Sequence, residues 1–434
     1  MLSVARLCSK NLTRQLITNV SLTTQRNFCN VVKKPISLTG LLKCPITSIG
    51  QISGCLRKSG TLALNYSSAV NKKTNKIVGS WLLVCSGMVF VAVALGGVTR
   101  LTESGLSMVT WRLLGEKMPV SDGQWIEEFE KYKQYPEYKI MNKEMTLEEF
   151  KRIWWMEYAH RMWGRLIGIV YGVPALYFWY NGMLKKGMKM RVLILGSLIG
   201  AQGLMGWYMV KSGLEDRFQG PNDVPRVSQY RLAAHLGLAL TLYTGFLYNA
   251  LGYLIPSKQL PLDWFNKENI NHELLNGLVR FKRMIYCTKG LVLLTALSGA
   301  FVAGLDAGLI YNSFPLMADK FIPDDILAFS PMLRNFTENP TTVQFDHRIL
   351  GISTLTLITL MAWKSRGLAL PGRGSRAMAT LLCAGYFQVV LGITTLISYV
   401  PVHLAATHQS GSMLVLGAAT WLCHELKYIR KIPK

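Results

Sequence analysis

The sequence predicts an all-α integral membrane protein with eight transmembrane helices, arranged as two tandem four-helix bundles related by pseudo-twofold symmetry. Half of the 434 residues are hydrophobic and the mean hydropathy is +0.23, which is more apolar than an ordinary soluble enzyme. Long stretches with few charges recur along the chain, and one histidine pattern occurs twice. Only helices and closed barrels satisfy their backbone polar groups in lipid, and stretches of this length favour helices.

The apolar stretches and the basic loops between them predict how the chain crosses the membrane. The eight predicted spans are 81–98, 159–180, 191–210, 231–255, 284–305, 347–363, 377–400 and 402–423. Loops 185–191 and 364–376 are basic and contain no acid. Because basic loops stay on the side from which a protein is inserted, both termini and the even-numbered connections are predicted to face one compartment.

The first 76 residues contain twelve lysine or arginine residues and no acid, and the first acid in the chain is Glu103. A leader that bears arginine, is rich in serine and threonine, and lacks acids is typical of mitochondrial import. Residues 1–76 are therefore predicted to be a transit segment and basic matrix tail, a disordered basic tail being the alternative. The protein would lie in the mitochondrial inner membrane with both termini in the matrix. Half of the net charge of +24 lies in this leader, so the charge does not indicate nucleic-acid binding.

An internal repeat divides the membrane region into two halves. Its corresponding pairs are His160 and His347, His235 and His408, Gly96 and Gly299, and Gly206 and Gly392. The offset within a pair falls from 203 to 173 along the chain, as expected if the first half has longer external loops. The predicted halves are residues 77–255 and 284–434, joined by a matrix linker at 256–283.

The four repeated histidines are candidate metal ligands. Each lies within about the first ten residues of its predicted span, and all four spans begin on the same side of the membrane, so the histidines share one depth. Two imidazoles from two helices suit the two axial faces of a heme iron, whereas a zinc site requires three or four ligands. Ionisable residues inside a membrane are functional by default, although any one histidine has a hydrogen-bonded packing role as its alternative. His272, His403 and His424 are expected to be solvated or bystanders.

The two halves differ three residues before their first histidine, where Glu157 corresponds to Gln344. A carboxylate can exchange a proton, whereas an amide can only form hydrogen bonds, so we expect chemistry in the first half and electron transfer or storage in the second. The alternative roles for Glu157 are helix capping and pairing with an arginine. Arg161 and Arg348 are candidates for contacts with heme propionates, interfacial anchoring being their alternative.

These residues alone predict a membrane protein with two heme sites and leave its activity open. Oxygenation and electron transfer rank equally, because bis-histidine coordination is the usual arrangement of an electron carrier. The electron-transfer alternative is a diheme subunit similar to a quinol-linked cytochrome b. A heme carrier without turnover is the other alternative.

Six motifs in order along the chain resemble the mitochondrial heme A synthase family. They are residues 96–108, 156–165, 202–214, 229–236, 312–317 and 345–348, and the likeness extends over about 77–425. The resemblance implies oxidation of the ring methyl of heme O to the formyl group of heme A, by successive hydroxylations and loss of water, for cytochrome c oxidase assembly. It also implies that His160 and His235 hold the substrate heme and that His347 and His408 hold a heme B cofactor. Glu157 would be the catalytic carboxylate.

The resemblance also implies partners. They are heme O as substrate, the lipid bilayer, a ferredoxin-type electron donor, heme O synthase and a second copy of the chain. Some bacterial members carry a cysteine pair in the first external loop, and no cysteine lies between Cys85 and Cys287 here, which matches the mitochondrial branch.

Overall fold

The computed structural model describes residues 49–215, 226–256, 272–368, 370 and 372–429, with side chains from residue 72 onward. The described residues from 71 onward form one compact unit. Most of the predicted transit segment, and the centre of the predicted linker at 257–271, lie outside the described residues.

Helices account for all the regular structure in the described ranges apart from two short 3-10 turns and one isolated bridge. In chain order they are α1 (Ile49–Leu101), α2 (Asp122–Lys133), α3 (Pro136–Ile140), α4 (Leu147–Tyr180), α5 (Met188–Gly213), α6 (Gln229–Leu254), α7 (His272–Gly304), α8 (Asn335–Glu338), α9 (Pro340–Ser365), α10 (Gly372–Ile397) and α11 (Val402–Glu425). Each predicted span falls within one of the eight long helices, to within three residues at its end.

Four stretches of the described helices are long and apolar enough to cross a membrane. They are Lys72–Leu101, Met188–Gly213, Glu273–Gly304 and Gly372–Ile397, which lie in α1, α5, α7 and α10. The four repeated histidines all lie on the other long helices, α4, α6, α9 and α11. Thus the helices that carry the candidate ligands are the less hydropathic ones, and each follows an apolar helix in the chain.

Helix α4 begins well before the span that hydropathy predicts. Its start at Leu147 lies twelve residues before residue 159, and Thr146 accepts a hydrogen bond from the Glu149 backbone N–H in a reciprocal capping box. This extension packs against α2 in a separate aromatic cluster, which includes Phe129, Phe150 and Trp154. The cluster holds residues 102–146, which are the predicted first external segment, against the end of α4 that carries Glu157 and His160.

One continuous apolar core joins the two repeat halves. It contains Leu240 and Phe246 of α6 together with Ile285 of α7 and Leu416 of α11, all at most 1 % exposed. Burying apolar surface of this extent is the main stabilising contribution to such a fold. The described helices of the two halves therefore pack as one unit rather than as separate bundles.

Candidate functional site

Each of the four repeated histidines lies against a glycine of the helix that precedes its own among the long helices. If a methyl carbon were placed on the glycine, its distance to the imidazole Cε1 would be 2.8 Å for Gly96 and His160, 3.2 Å for Gly206 and His235, 3.2 Å for Gly299 and His347, and 2.6 Å for Gly392 and His408. Carbon atoms in contact prefer separations of roughly 3.5–4 Å, so any larger residue would displace the ring. The same histidine–glycine contact thus occurs twice in each half.

These four glycines are candidate site residues that sequence reasoning did not assign. Their signal was present, because all four are members of the pairs that define the repeat. What the sequence could not supply was the partner, since each contact joins residues that are distant in the chain. By contrast, a methyl group on Gly164 or Gly351, which lie one turn beyond His160 and His347, would meet no atom within 4 Å.

The imidazoles of His347 and His408 face each other across a gap that suits a bound iron. Their ring centroids lie 6.3 Å apart and their planes are 85° from parallel. A metal ion about 2 Å from one nitrogen of each of two opposed imidazoles would separate the centroids by roughly 6 Å. The residues present therefore fit bis-histidine coordination of a heme.

The two pairs differ in what holds their rings. In the second half, Ser298 Oγ lies 2.7 Å from Nδ1 of His347, and the side-chain amide of Gln388 lies 3.1 Å from Nδ1 of His408. In the first half, Nδ1 of His160 and Nδ1 of His235 are buried and have no hydrogen-bond partner among the described residues. A hydrogen bond from the second ring nitrogen to an acceptor fixes the orientation of a metal-binding histidine, and Ser298 Oγ is such an acceptor for His347.

In both halves, a glutamine side chain donates a hydrogen bond to the backbone carbonyl oxygen of the second histidine of the pair. Gln202 Nε2 donates to the carbonyl oxygen of His235 at 3.1 Å, and Gln388 Nε2 donates to that of His408 at 2.8 Å. These two glutamines occupy corresponding positions in the internal repeat. Each bond ties the ligand-bearing helix to the helix before it.

Glu157 is 2 % exposed and accepts three hydrogen bonds. Its Oε2 accepts from Ser107 Oγ and from the Met108 backbone N–H, each at 2.7 Å, and its Oε1 accepts from Arg161 Nη2 at 2.6 Å. A carboxylate has only acceptors and so satisfies all three donors. The side chain therefore pairs with an arginine, as its alternative role expected, and also holds the external segment against α4.

Gln344, the counterpart of Glu157, is 3 % exposed and forms the complementary set of bonds. Its Nε2 donates to the carbonyl oxygens of Ala307 and Ile310 at 2.7 and 2.5 Å, and its Oε1 accepts from Arg348 Nη2 at 2.7 Å. The amide thus meets two carbonyls where the carboxylate meets an N–H and a hydroxyl. Exchanging the two residue types would leave buried groups unpaired in both halves.

Arg161 and Arg348 each reach the external segment that covers their half. Arg161 donates to the carbonyl oxygens of Met108 and Thr110, both at 2.8 Å, and Arg348 donates to that of Tyr311 at 2.7 Å. These bonds hold the two connecting segments against α4 and α9. A contact with heme propionates stays a prediction, for which the buried Nε of Arg348, unpaired in the described chain, is a free donor.

Two of the other histidines can be compared with their expected environment. His403 is exposed at the start of α11, as expected for a bystander. His424 was expected to be solvated, and this is wrong: it is 0 % exposed, its Nε2 lies 3.0 Å from the carbonyl oxygen of Ile255, and its ring packs against Tyr248. The long helix α11 carries it back into the core, which proximity to the chain end did not indicate. The described residues contain no cluster of three or more histidine, cysteine or acidic side chains that could hold a metal ion.

Comparisons with known proteins show which family the chain belongs to. Residues 79–420 match the model of a family described as cytochrome oxidase assembly protein. The human heme A synthase COX15 is 58% identical over 368 residues, which are 85% of this chain and 86% of the relative. A heme A synthase from Nitrosospira multiformis is 46% identical over 356 residues, 81% of this chain and 94% of the relative, and one from Arabidopsis thaliana is 45% identical over 358 residues, 82% and 76%. The chain belongs to the heme A synthase family of cytochrome oxidase assembly proteins.

Proposed function

We propose that the protein is a heme A synthase of the mitochondrial inner membrane. It oxidises the ring methyl of heme O to the formyl group of heme A, by successive hydroxylations and loss of water, and so supplies heme A for cytochrome c oxidase assembly. The observation that carries the proposal is the duplicated histidine–glycine contact whose polar surroundings differ between the halves. A membrane diheme carrier with two equal sites would have no need of this difference.

In this proposal the second half, residues 284–434, holds the cofactor. His347 and His408 are the ligands of heme B. Ser298 orients the His347 ring, and Gln388 supports His408 through its backbone carbonyl oxygen. Heme B, when bound, supplies a one-electron redox centre next to the substrate half. The hydrogen bond at Nδ1 of His347 favours a permanently bound group, because it opposes rotation of that ring and loss of the ligand.

The first half, residues 77–255, holds the substrate. His160 and His235 bind heme O, and neither ring has an Nδ1 hydrogen bond in the described chain. A ring that no side chain tethers can leave the iron at lower cost, which suits a site that must admit heme O, release heme A and give access to the ring methyl. The glycines at 96 and 206 still set how closely each ring approaches the neighbouring helix.

Glu157 is the proposed catalytic carboxylate. It lies one turn before His160 on α4, and its bonds to Ser107, to the Met108 N–H and to Arg161 fix its position. A buried carboxylate can take up and return a proton while the methyl carbon is oxidised and water is lost. Arg161 balances its charge. At the corresponding position of the cofactor half, where no proton transfer is proposed, the residue is the amide Gln344.

The membrane topology and the partners belong to the same proposal. The eight long helices cross the membrane as two related sets of four, and the basic loops at 185–191 and 364–376 face the matrix with both termini. Residues 1–76 act as transit segment and basic matrix tail, and 256–283 as the linker between the halves. A ferredoxin-type electron donor, contact with heme O synthase and self-association are proposed from family resemblance.

A diheme electron-transfer subunit is the second candidate, favoured by the equal histidine–glycine contacts in the two halves. Extraction of the non-covalent hemes from purified protein, made in cells that supply heme O, separates the candidates. Chromatography with mass detection should find heme A beside heme B in the wild type, and heme O or a hydroxylated intermediate in Glu157→Gln. Heme B alone, at two per chain in both proteins, would establish the electron carrier instead.

A further inference from the structure

One side chain connects the two heme sites across the junction of the repeat halves. Gln409, the residue after His408 on α11, reaches to α1, where its Nε2 donates to the Val93 carbonyl oxygen at 3.0 Å. Its amide fills a notch at Gly97: a methyl carbon on that glycine would lie 2.1 Å from Gln409 Oε1 and 2.8 Å from its Cδ. The contact therefore requires both the long amide on α11 and the absence of a side chain on α1.

The notch directly adjoins the substrate site. Gly97 follows Gly96, against which the His160 ring lies, at 2.8 Å from a methyl carbon placed there to Cε1. Gly96 thus lies against His160, a proposed ligand of the substrate heme. Gly97 lies against Gln409, which follows the proposed cofactor-heme ligand His408 and belongs to the other half. A shift of α11 along α1 would move Gln409 against Gly97 and change the backbone on which His160 rests.

The internal repeat supplies a natural comparison. At the corresponding positions of the other junction, Leu236 takes the place of Gln409 and Ala300 takes the place of Gly97. That junction is apolar, with Leu297 Cδ2 at 3.3 Å from a methyl carbon placed on Gly237. The helix packing of the repeat therefore does not itself demand a glutamine and a glycine. The polar contact occurs only where His160 and His408 approach the junction.

We propose that Gln409 is a positioning residue, which sets the placement of the substrate ligand His160 relative to the cofactor ligand His408. This rests on the assignment of the two heme sites under the proposed function. A hydrogen bond between membrane helices contributes to their register. A rigid supporting contact of this kind holds two reacting groups at a constant separation.

The first test compares Gln409→Met, which keeps the length of the side chain and removes its hydrogen bond, with Ser410→Ala. Ser410 is the matched control, because its Oγ bonds only within α11, to the Ala406 carbonyl oxygen at 2.8 Å. The readout is the low-spin electron paramagnetic resonance signal of the heme on His160 and His235, assigned by its loss in His235→Ala. Gln409→Met should shift this signal, although the residue lies in the other half, and Ser410→Ala should leave it unchanged. An unshifted signal in Gln409→Met would overturn the proposal.

The second test changes side-chain size at positions 97 and 409. It still decides the proposal if Gln409→Met folds poorly. Gly97→Ala should weaken retention of the first-half heme by roughly fivefold, a moderate coupling for residues in contact, and Gln409→Ala in the same chain should restore it. Additive losses in the double variant would show that the two residues do not act together. Mass analysis of the same samples identifies the bound hemes. Heme B in both sites would contradict the proposed function, and the coupling between positions 97 and 409 would still be measured by heme retention.

Discussion

At the scale of single residues, the difference between the halves comes from a few side chains that the repeat places at equivalent positions. Ser298, which reaches Nδ1 of His347, corresponds to Leu95, which cannot form a hydrogen bond. Glu157 corresponds to Gln344, and each satisfies a different set of loop groups. The proposed division into a substrate half and a cofactor half therefore rests on substitutions between otherwise similar helix pairs.

The Ser298 contact leads to a prediction for cofactor binding. Ser298→Leu should loosen the His347 ring and weaken heme B retention by roughly fivefold, because a neutral hydrogen bond contributes about 1 kcal/mol. Heme B per chain after detergent washing measures this. Thr356→Ala is the control, since that hydroxyl bonds only to the Ile352 carbonyl of its own helix. Equal retention in Ser298→Leu and Thr356→Ala would contradict the proposed role.

The glycines that touch histidine rings should act selectively on their own half. Gly392→Ala places a methyl group 2.6 Å from His408 Cε1, and Gly96→Ala places one 2.8 Å from His160 Cε1. Overpacking of this kind is costly where the neighbour cannot move. We expect Gly392→Ala to lose heme B and Gly96→Ala to lose the substrate heme, both read by heme extraction. Gly164→Ala meets no atom within 4 Å and should retain both hemes.

At the scale of elements, the helix positions could largely be predicted from the sequence, and their contacts could not. Apolar runs located every long helix, because lipid-facing and core-facing residues are both apolar. The early start of α4 escaped the hydropathy pattern, although the capping pair Thr146 and Glu149 marks it in the sequence. The histidine–glycine contacts depend on packing between helices. Gln409 and Val93 lie 316 residues apart in sequence, and no local pattern joins them.

The external segment made by α2 and α3 should respond to pH. Burial, with smaller contributions from the charges of Glu157 and Glu103, raises the pKa of the Glu137 carboxyl to about 8, although a hydrogen bond from Tyr132 at 3.0 Å lowers it. The folded segment then binds a proton that the unfolded segment releases at its ordinary pKa of 4.5. Its stability should therefore fall as the pH rises from 4.5 towards 8 and change no further above that value.

Hydrogen exchange of the amides in residues 122–140 measures this effect. In the wild type, exchange that is corrected for the intrinsic rate should become faster between pH 6 and pH 8. Glu137→Gln, which keeps a neutral group at every pH, should abolish that change. A pH dependence that persists in Glu137→Gln would assign the effect to another group.

At the scale of the whole molecule, family membership could be predicted from six motifs and is confirmed by the family match over residues 79–420. The all-helical fold is likewise confirmed in the described residues, whereas eight spans and matrix-facing termini stay predictions. The shared core of the two halves was not predicted, because apolar periodicity does not distinguish a lipid-facing side chain from one that faces another helix.

The topology leads to a labelling prediction. In a cysteine-free background, an impermeant maleimide added to mitoplasts should label Ser121→Cys, which lies at the start of α2 in the external segment. Lys186→Cys, in the basic loop after α4, should react only once the inner membrane is permeabilised. Labelling of Lys186→Cys in intact mitoplasts would reverse the proposed orientation.

The central claim is that the two histidine pairs hold different hemes, and heme composition after removal of one ligand from each pair tests it most directly. Purified His160→Ala and His347→Ala, made in cells supplying heme O, would be extracted and their hemes identified by mass. If the pairs hold different hemes, His160→Ala should keep heme B and lose heme O and heme A, and His347→Ala should lose heme B. Loss of the same heme species in both variants would contradict the division of the molecule into a substrate half and a cofactor half.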